Sequence, residues 1–118
     1  MNIEEFRYYC LQKPHVTEEF PFGPETLVFK AGGKIFALTG LDSPEFSVNL
    51  KCNPERAAEL RDLHPEVKPG YHMNKQHWNT VYFDGNLDES LLTDLIDHSY
   101  ELITKSLPKA KRVELGLI

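Results

Sequence analysis

The chain is short of cysteine, of long apolar runs and of basic residues at its start, and each shortage narrows what it can be. Its two cysteines, Cys10 and Cys52, form no CxxC pair and lie in apolar patterns, so we expect both to be reduced and at least half buried. No apolar run approaches the roughly 20 residues that a membrane helix needs. Residues 1–5 are acidic where an export signal is basic, which predicts a cytoplasmic protein.

Signatures of catalysis and of metal binding are also missing. The sequence contains no GxSxG nucleophile elbow, no phosphate-binding loop and no dinucleotide fingerprint, and its histidines form neither HxxxH nor HExxH. We therefore predict no catalytic residue, no metal and no cofactor, and a protein that is not an enzyme. A nucleophilic pair of Cys52 with His72 or His77 is left open, because such pairs form in space rather than along the sequence.

What is present describes a small acidic domain. The 118 residues fit one domain, residues 1–118, of a size that buries roughly two-thirds of its unfolded surface. Hydrophobic residues make up 41%, so disorder is not expected. The net charge of −5 works against long-range attraction to nucleic acid or to an anionic membrane, although it permits a local basic patch.

Three helices are marked by capping residues. Asn2 and Glu5 have the spacing of a capping box at the start of the first helix. Asn53 is placed to cap the second helix and Asn86 the last, where Glu89 completes the pattern three residues later. The predicted helices run from 3 to 12, from 54 to 63 and from 87 to 106.

The strands follow from turn chemistry and from period-two alternation. Gly32-Gly33 supplies the positive φ angles of a tight hairpin turn, and residues 45–51 alternate polar and apolar side chains. The predicted strands are 16–20, 26–31, 34–39, 45–51 and 77–83, with 66–70 as a loop. Because short connections favour antiparallel pairing, we predict a two-layer α+β fold. It has an antiparallel sheet of about five strands, with the N- and C-terminal helices on one face and the other face open.

Three sequence blocks carry a family resemblance. Residues 20–38 include Phe-Pro-Phe-Gly-Pro-Glu and a Gly-Lys-Ile-Phe-Ala-Leu run, residues 50–55 read Leu-Lys-Cys-Asn-Pro-Glu, and residues 69–80 read Pro-Gly-Tyr-His-Met-Asn-Lys-Gln-His-Trp-Asn-Thr. In these blocks the chain resembles the MmcQ/YjbR-like family of small bacterial proteins. The resemblance implies a two-layer fold of the kind compared with bacterial frataxin. It also implies a DNA-binding role, which the family carries largely by analogy of fold, and it supplies no catalytic residues.

The segment from Lys68 to Phe83 is the unusual part of the sequence, because it contains no acidic residue in an otherwise acidic chain. Its cations suit phosphates, its aromatic rings suit stacking, and its amides can read base edges. The competing interpretation is that Tyr71 and Trp78 fill the core while the amides satisfy a loop backbone. The candidate binding residues are Lys51, Tyr71, His72, Asn74, Lys75, His77, Trp78 and Asn79.

Three functions are therefore carried forward. The first is a non-enzymatic binding domain for DNA that uses residues 68–83, and the second is a protein-interaction module that uses the open sheet face. The third is a small-molecule or enzymatic site near Phe22 and His72. Overall acidity favours a protein partner over DNA, whereas the acid-free segment favours DNA or a small molecule. Against the third function, Phe20 and Phe22 are expected in the core, since aromatic side chains are usually buried.

Overall fold

A computed structural model describes residues 1–118 as an α+β fold built on one antiparallel sheet. The helices are α1 (Ile3–Leu11), α2 (Pro54–Leu63), α3 (Glu89–Lys105) and α4 (Lys109–Glu114). The strands are β1 (Val16–Glu19), β2 (Thr26–Ala31), β3 (Lys34–Gly40), β4 (Ser47–Lys51), β5 (Val67–Pro69) and β6 (Trp78–Tyr82). The strand order is β1-β2-β3-β4-β6-β5, and all five neighbouring pairs are antiparallel. The predicted fold class is confirmed.

The sheet has six strands where the sequence predicted about five. The additional strand is β5, which falls in the stretch 66–70 that was predicted as a loop. It is only three residues long, ends at a proline and pairs with β6 alone. A segment that short shows no measurable alternation, so its pairing is decided by β6 rather than by its own sequence.

Local capping signals were correct for two helices and wrong for the third. Asn2 and Glu5 form the predicted capping box, and the Asn53 side chain accepts hydrogen bonds from the backbone at the start of α2. The predicted cap at Asn86 is wrong, because α3 begins at Glu89 after Asp88. The Asn86 backbone instead donates to the Glu66 carboxylate, which lies before β5.

The core lies between the sheet and the three longer helices. Side chains of β2, β4 and β6 that point to one face pack with α1, α2 and α3 in a single cluster. At its centre the fully buried ring of Phe6 makes edge-to-face contacts with Phe29, Phe46 and Phe83, with centroids 5.4 to 5.7 Å apart. None of the four helices combines the length and the apolar content that crossing a bilayer requires.

Both cysteines belong to this core. Cys10 is fully buried, Cys52 is 3% exposed, and both are free thiols, as the sequence predicted. Burial raises the pKa of the Cys10 thiol to about 12, and burial likewise raises the pKa of Cys52 above its ordinary value. Since the thiolate is the nucleophilic form, this argues against a Cys52–His72 or Cys52–His77 nucleophilic pair.

We expect His98 on α3 to make the stability of the fold depend on pH. Its Nε2 accepts a hydrogen bond of 3.1 Å from the Asn53 backbone N–H, which requires an unprotonated nitrogen. Burial, followed by the Arg56 guanidinium, lowers the pKa of His98 below its ordinary 6.5. A pKa depressed in the folded state means that the contribution is complete above about pH 6.5 and is lost as the pH falls through the folded value.

We therefore expect wild type to lose more stability than His98→Gln when the pH is lowered from about 6.5 to about 5. Glutamine retains an acceptor for the Asn53 N–H but does not titrate. Urea unfolding of both proteins across this range measures the difference. Parallel losses in the two proteins would show that His98 protonation does not act on folding.

Candidate binding surface on the open sheet face

The open face is the face of the sheet turned away from α1, α2 and α3. Backbone pairing sets side chains from all six strands in one row across this face, running from β1 to β5. The row consists of Glu19, Val28, Leu38, Asn49, Thr80 and Lys68. Because alternate residues share a face, Lys51 and Trp78 lie about 7 Å along the strands on one side of the row, and Ser47 and Tyr82 lie at a similar distance on the other.

The loop after β5 is fixed to the middle of this row through the backbone of Tyr71. The Tyr71 N–H donates to Thr80 Oγ1 at 3.0 Å, and Asn49 Nδ2 donates to the Tyr71 carbonyl at 3.1 Å. Thr80 Oγ1 in turn donates to Asn49 Oδ1 at 2.6 Å. Two facing side chains of β4 and β6 therefore hold both polar groups of one residue, which orients the loop on the sheet.

Gly70 makes this close approach possible. Its N–H donates to the Trp78 carbonyl at 2.9 Å. A Cβ atom at position 70 would lie 2.8 Å from Trp78 Cβ and 2.9 Å from the Trp78 carbonyl oxygen. The obstacle includes backbone, which does not yield as a flexible side chain does, so only glycine fits where the loop leaves β5.

Tyr71 and His72 project from this fixed backbone. The Tyr71 side chain is 68% exposed, so the interpretation that it fills the core is wrong. Its ring lies 4.0 Å from the His72 ring, centroid to centroid, at an interplanar angle of 50°. His72 has the uncommon φ of 60° that turns the chain here. The pair forms an exposed aromatic platform whose backbone is already ordered.

Three other candidates lie in the same loop, but two of them are engaged within it. Asn74 Oδ1 accepts hydrogen bonds from the backbone of Gln76 and His77. The Lys75 amine donates to the Gly70 carbonyl at 2.9 Å. Asn74, Lys75 and His77 are all exposed. Asn74 and Lys75 therefore shape the loop, while the His77 imidazole remains available to a ligand.

Asn79 lies on the opposite face from the other candidates. Alternation places it in the row of Leu50, facing α2, where it is 2% exposed. Its Oδ1 accepts from Arg61 at 2.7 Å and its Nδ2 donates to the Ala57 carbonyl at 3.4 Å. The structure therefore contradicts its place in a surface site, and Asn79 instead satisfies buried polar groups beneath α2. Trp78, one residue earlier, is half-buried on the open face beside Lys51.

A groove of about 390 Å³ lies on the open face between the Tyr71 loop and the β3–β4 loop. Its floor consists of strand residues, and Tyr71 is the one sequence-predicted candidate that lines it. The lining is Leu38, Thr39, Gly40, Asp42, Ser43, Ser47, Asn49, Tyr71, Thr80 and Tyr82. The lining residues other than Tyr71 were not among the predicted site residues, although the polar alternation in β4 already placed Ser47 and Asn49 on the wet face.

The proposed site near Phe22 and His72 is not assembled as one cavity. Phe20 and Phe22 are 49% and 66% exposed, so the prediction that both lie in the core is wrong. Neither Phe22 nor His72 lines the groove beside Tyr71 or any of three larger cavities of about 570 to 720 Å³. No group of three or more His, Cys, Asp or Glu side chains is arranged to hold a metal ion.

Comparisons with known proteins agree with the sequence motifs. The family described as YjbR matches residues 11–102. The uncharacterised protein YbdF of Escherichia coli O157:H7 is 43% identical over 115 residues, which cover 96% of this chain and 94% of that protein. The uncharacterised protein YjbR of Escherichia coli K12 is 37% identical over 112 residues, covering 95% of each chain.

Two solved structures extend the likeness to the fold. The crystal structure of the Deinococcus radiodurans protein DR2400 matches with a TM-score of 0.92 at 45% identity, over 98% of this chain and 88% of that one. A Pseudomonas syringae crystal structure matches with a TM-score of 0.76 at 31% identity, over 87% of this chain and 99% of that one.

Proposed function

The chain belongs to the YjbR family, and from the geometry of its open face we propose that it is a non-enzymatic domain that binds nucleic acid. Single strands are its preferred form, and the surface that contacts them is centred on Tyr71. The observation that carries the proposal is the exposed Tyr71–His72 platform on a backbone fixed by Asn49 and Thr80.

An exposed ring on an ordered backbone is suited to stacking with an unpaired base. Every base has a π-face, so such stacking tolerates different sequences and contributes about 1–3 kcal/mol per base. Because the Tyr71 backbone is held on both sides, little main-chain entropy is lost when a base settles on the ring. In a duplex the bases are already stacked on one another, so they offer no exposed π-face on which the Tyr71 ring could stack.

Lys51 and Lys68, on two neighbouring parts of the open face, supply the phosphate contacts near this platform. Lys51 lies on the open face next to Trp78, and Lys68 lies opposite Thr80 on β5. The four ion pairs of the chain involve neither amine. The Lys75 amine contributes less, since it already donates to Gly70.

With two or three such contacts and a net charge of −5, binding is weak. We expect a logarithmic salt slope of roughly −2 to −3 for duplex DNA and roughly −1.5 to −2 for single strands. At physiological salt the affinity should be about micromolar or weaker, the range of non-specific binding.

Replacing Tyr71 with alanine should lower single-strand affinity about tenfold, while duplex affinity changes little. Fluorescence anisotropy with labelled single strands and duplexes measures both. Tyr8→Ala is a matched control, because Tyr8 is also 68% exposed but lies on α1 among acidic residues. Tyr8→Ala should leave both affinities unchanged.

The phosphate contacts are tested in the same assay by titrating salt. Lys51→Ala and Lys68→Ala should each reduce the magnitude of the single-strand slope by about 0.7, whereas Lys109→Ala, an exposed lysine on α4, should not. If wild type binds neither form of DNA at low salt, where screening is weakest, the proposal is wrong. The protein-interaction module on the open face then becomes the favoured function.

A further inference from the structure

The groove beside Tyr71 has a chemistry that the phosphate contacts do not explain. Among its ten lining residues Asp42 carries a negative charge and none is a lysine, an arginine or a histidine. Its volume of about 390 Å³ lies in the range of small-molecule sites. A carboxylate without a neighbouring cation repels phosphate, so the groove disfavours any group that carries a negative charge.

Several polar side chains of the groove form hydrogen bonds within the protein, whereas the Asp42 carboxylate forms none. Asn49 and Thr80 are committed to the Tyr71 backbone, and Thr39 donates to the Ser47 carbonyl at 2.7 Å. The Asp42 carboxylate takes part in none of the side-chain hydrogen bonds or ion pairs that hold the β3–β4 loop. It is exposed and, as a carboxylate, can only accept hydrogen bonds.

We infer, resting on the proposed function, that the groove receives one base of the bound strand and that Asp42 selects bases with an exocyclic amino group. A base stacked on Tyr71 is held at the edge of this groove, while its phosphates remain outside with Lys51 and Lys68. The amino group of cytosine or adenine donates to a carboxylate. Thymine has a carbonyl oxygen at the corresponding position, which faces the carboxylate unfavourably.

The test compares short homopolymers of cytosine and of thymine, each about 12 nucleotides long, which is within the site size of small single-strand binders. Wild type should bind the cytosine strand about fivefold more tightly, a ratio expected of one exposed contact. In Asp42→Ala this ratio should fall to about one. Asp62→Ala is the matched control, since it removes an equal charge from an exposed position on α2 and should leave the ratio unchanged.

Using the ratio separates base selection from general electrostatics, because both aspartate variants strengthen binding to any polyanion. Equal binding of the two strands by wild type, with Tyr71→Ala still weakening both, would overturn the role of Asp42 and leave the proposed function standing. If Asp42→Ala keeps the preference for cytosine, the proposed role of Asp42 is also overturned. An absence of binding to either strand at low salt would overturn both proposals together.

Discussion

Phe6→Ala is expected to lower the free energy of unfolding by about 3–5 kcal/mol, the usual cost of removing a buried phenylalanine ring. Phe6 is fully buried and meets Phe29, Phe46 and Phe83 edge to face. It thereby joins α1 to β2 and to the chain segments that flank β4 and β6. Each aromatic pair contributes beyond the area that it buries, and the cavity left by alanine would lie where these elements meet.

Urea unfolding measures this loss as a shift of the midpoint with an unchanged slope. Phe6→Leu retains most of the volume and should cost distinctly less than Phe6→Ala. Phe22→Ala is the exposed control, since that ring is 66% exposed, and should change stability by no more than about 0.5 kcal/mol. Equal costs for Phe6→Ala and Phe22→Ala would mean that the aromatic cluster does not stabilise the core.

Because domains of this kind are marginally stable, Phe6→Ala can also prevent folding. In that case Phe6→Leu supplies the measurable value.

The elements that sequence predicted well are those whose signals are local. The Asn2–Glu5 capping box and the Gly32-Gly33 turn were both correct, and both glycines have positive φ. The predicted cap at Asn86 was wrong because Asn86 and Asp88, two residues apart, are both suitable capping residues. In the structure the Asn86 backbone donates to Glu66, which is distant in sequence, and the helix begins only after Asp88.

The candidate site was predicted in part, for a physical reason. Composition identified the segment 68–83, and Tyr71 and His72 are exposed there. Composition could not assign faces, because a shift of one residue in a strand exchanges the two sides of the sheet. Asn79 therefore seemed a ligand contact but lies under α2, whereas Asn49, which holds the Tyr71 loop, was not selected.

Long-range pairing also explains why the role of Ser99 was invisible in the sequence. The register that pairs Ala37 with Leu50 would next bring the Phe36 carbonyl to the Lys51 N–H. Instead, the Ser99 hydroxyl of α3 lies between them: it accepts from the Lys51 N–H at 2.9 Å and donates to the Phe36 carbonyl at 2.6 Å. The side chain of a helix thus replaces one hydrogen bond of the sheet.

Ser99→Ala should accordingly lower the free energy of unfolding by about 2–4 kcal/mol, because it leaves a buried donor and a buried acceptor without partners. Ser90→Ala, on the exposed start of the same helix, should change it by about 0.5 kcal/mol or less.

Hydrogen exchange adds a local readout, since the Lys51 amide loses its acceptor and should exchange faster than its neighbours in β4. Because Lys51 stands beside the Tyr71 platform, single-strand affinity should fall as well. An unchanged Lys51 exchange rate, together with a stability change as small as that of Ser90→Ala, would contradict this prediction. It would show that the Lys51 N–H and the Phe36 carbonyl can pair directly when the hydroxyl is removed.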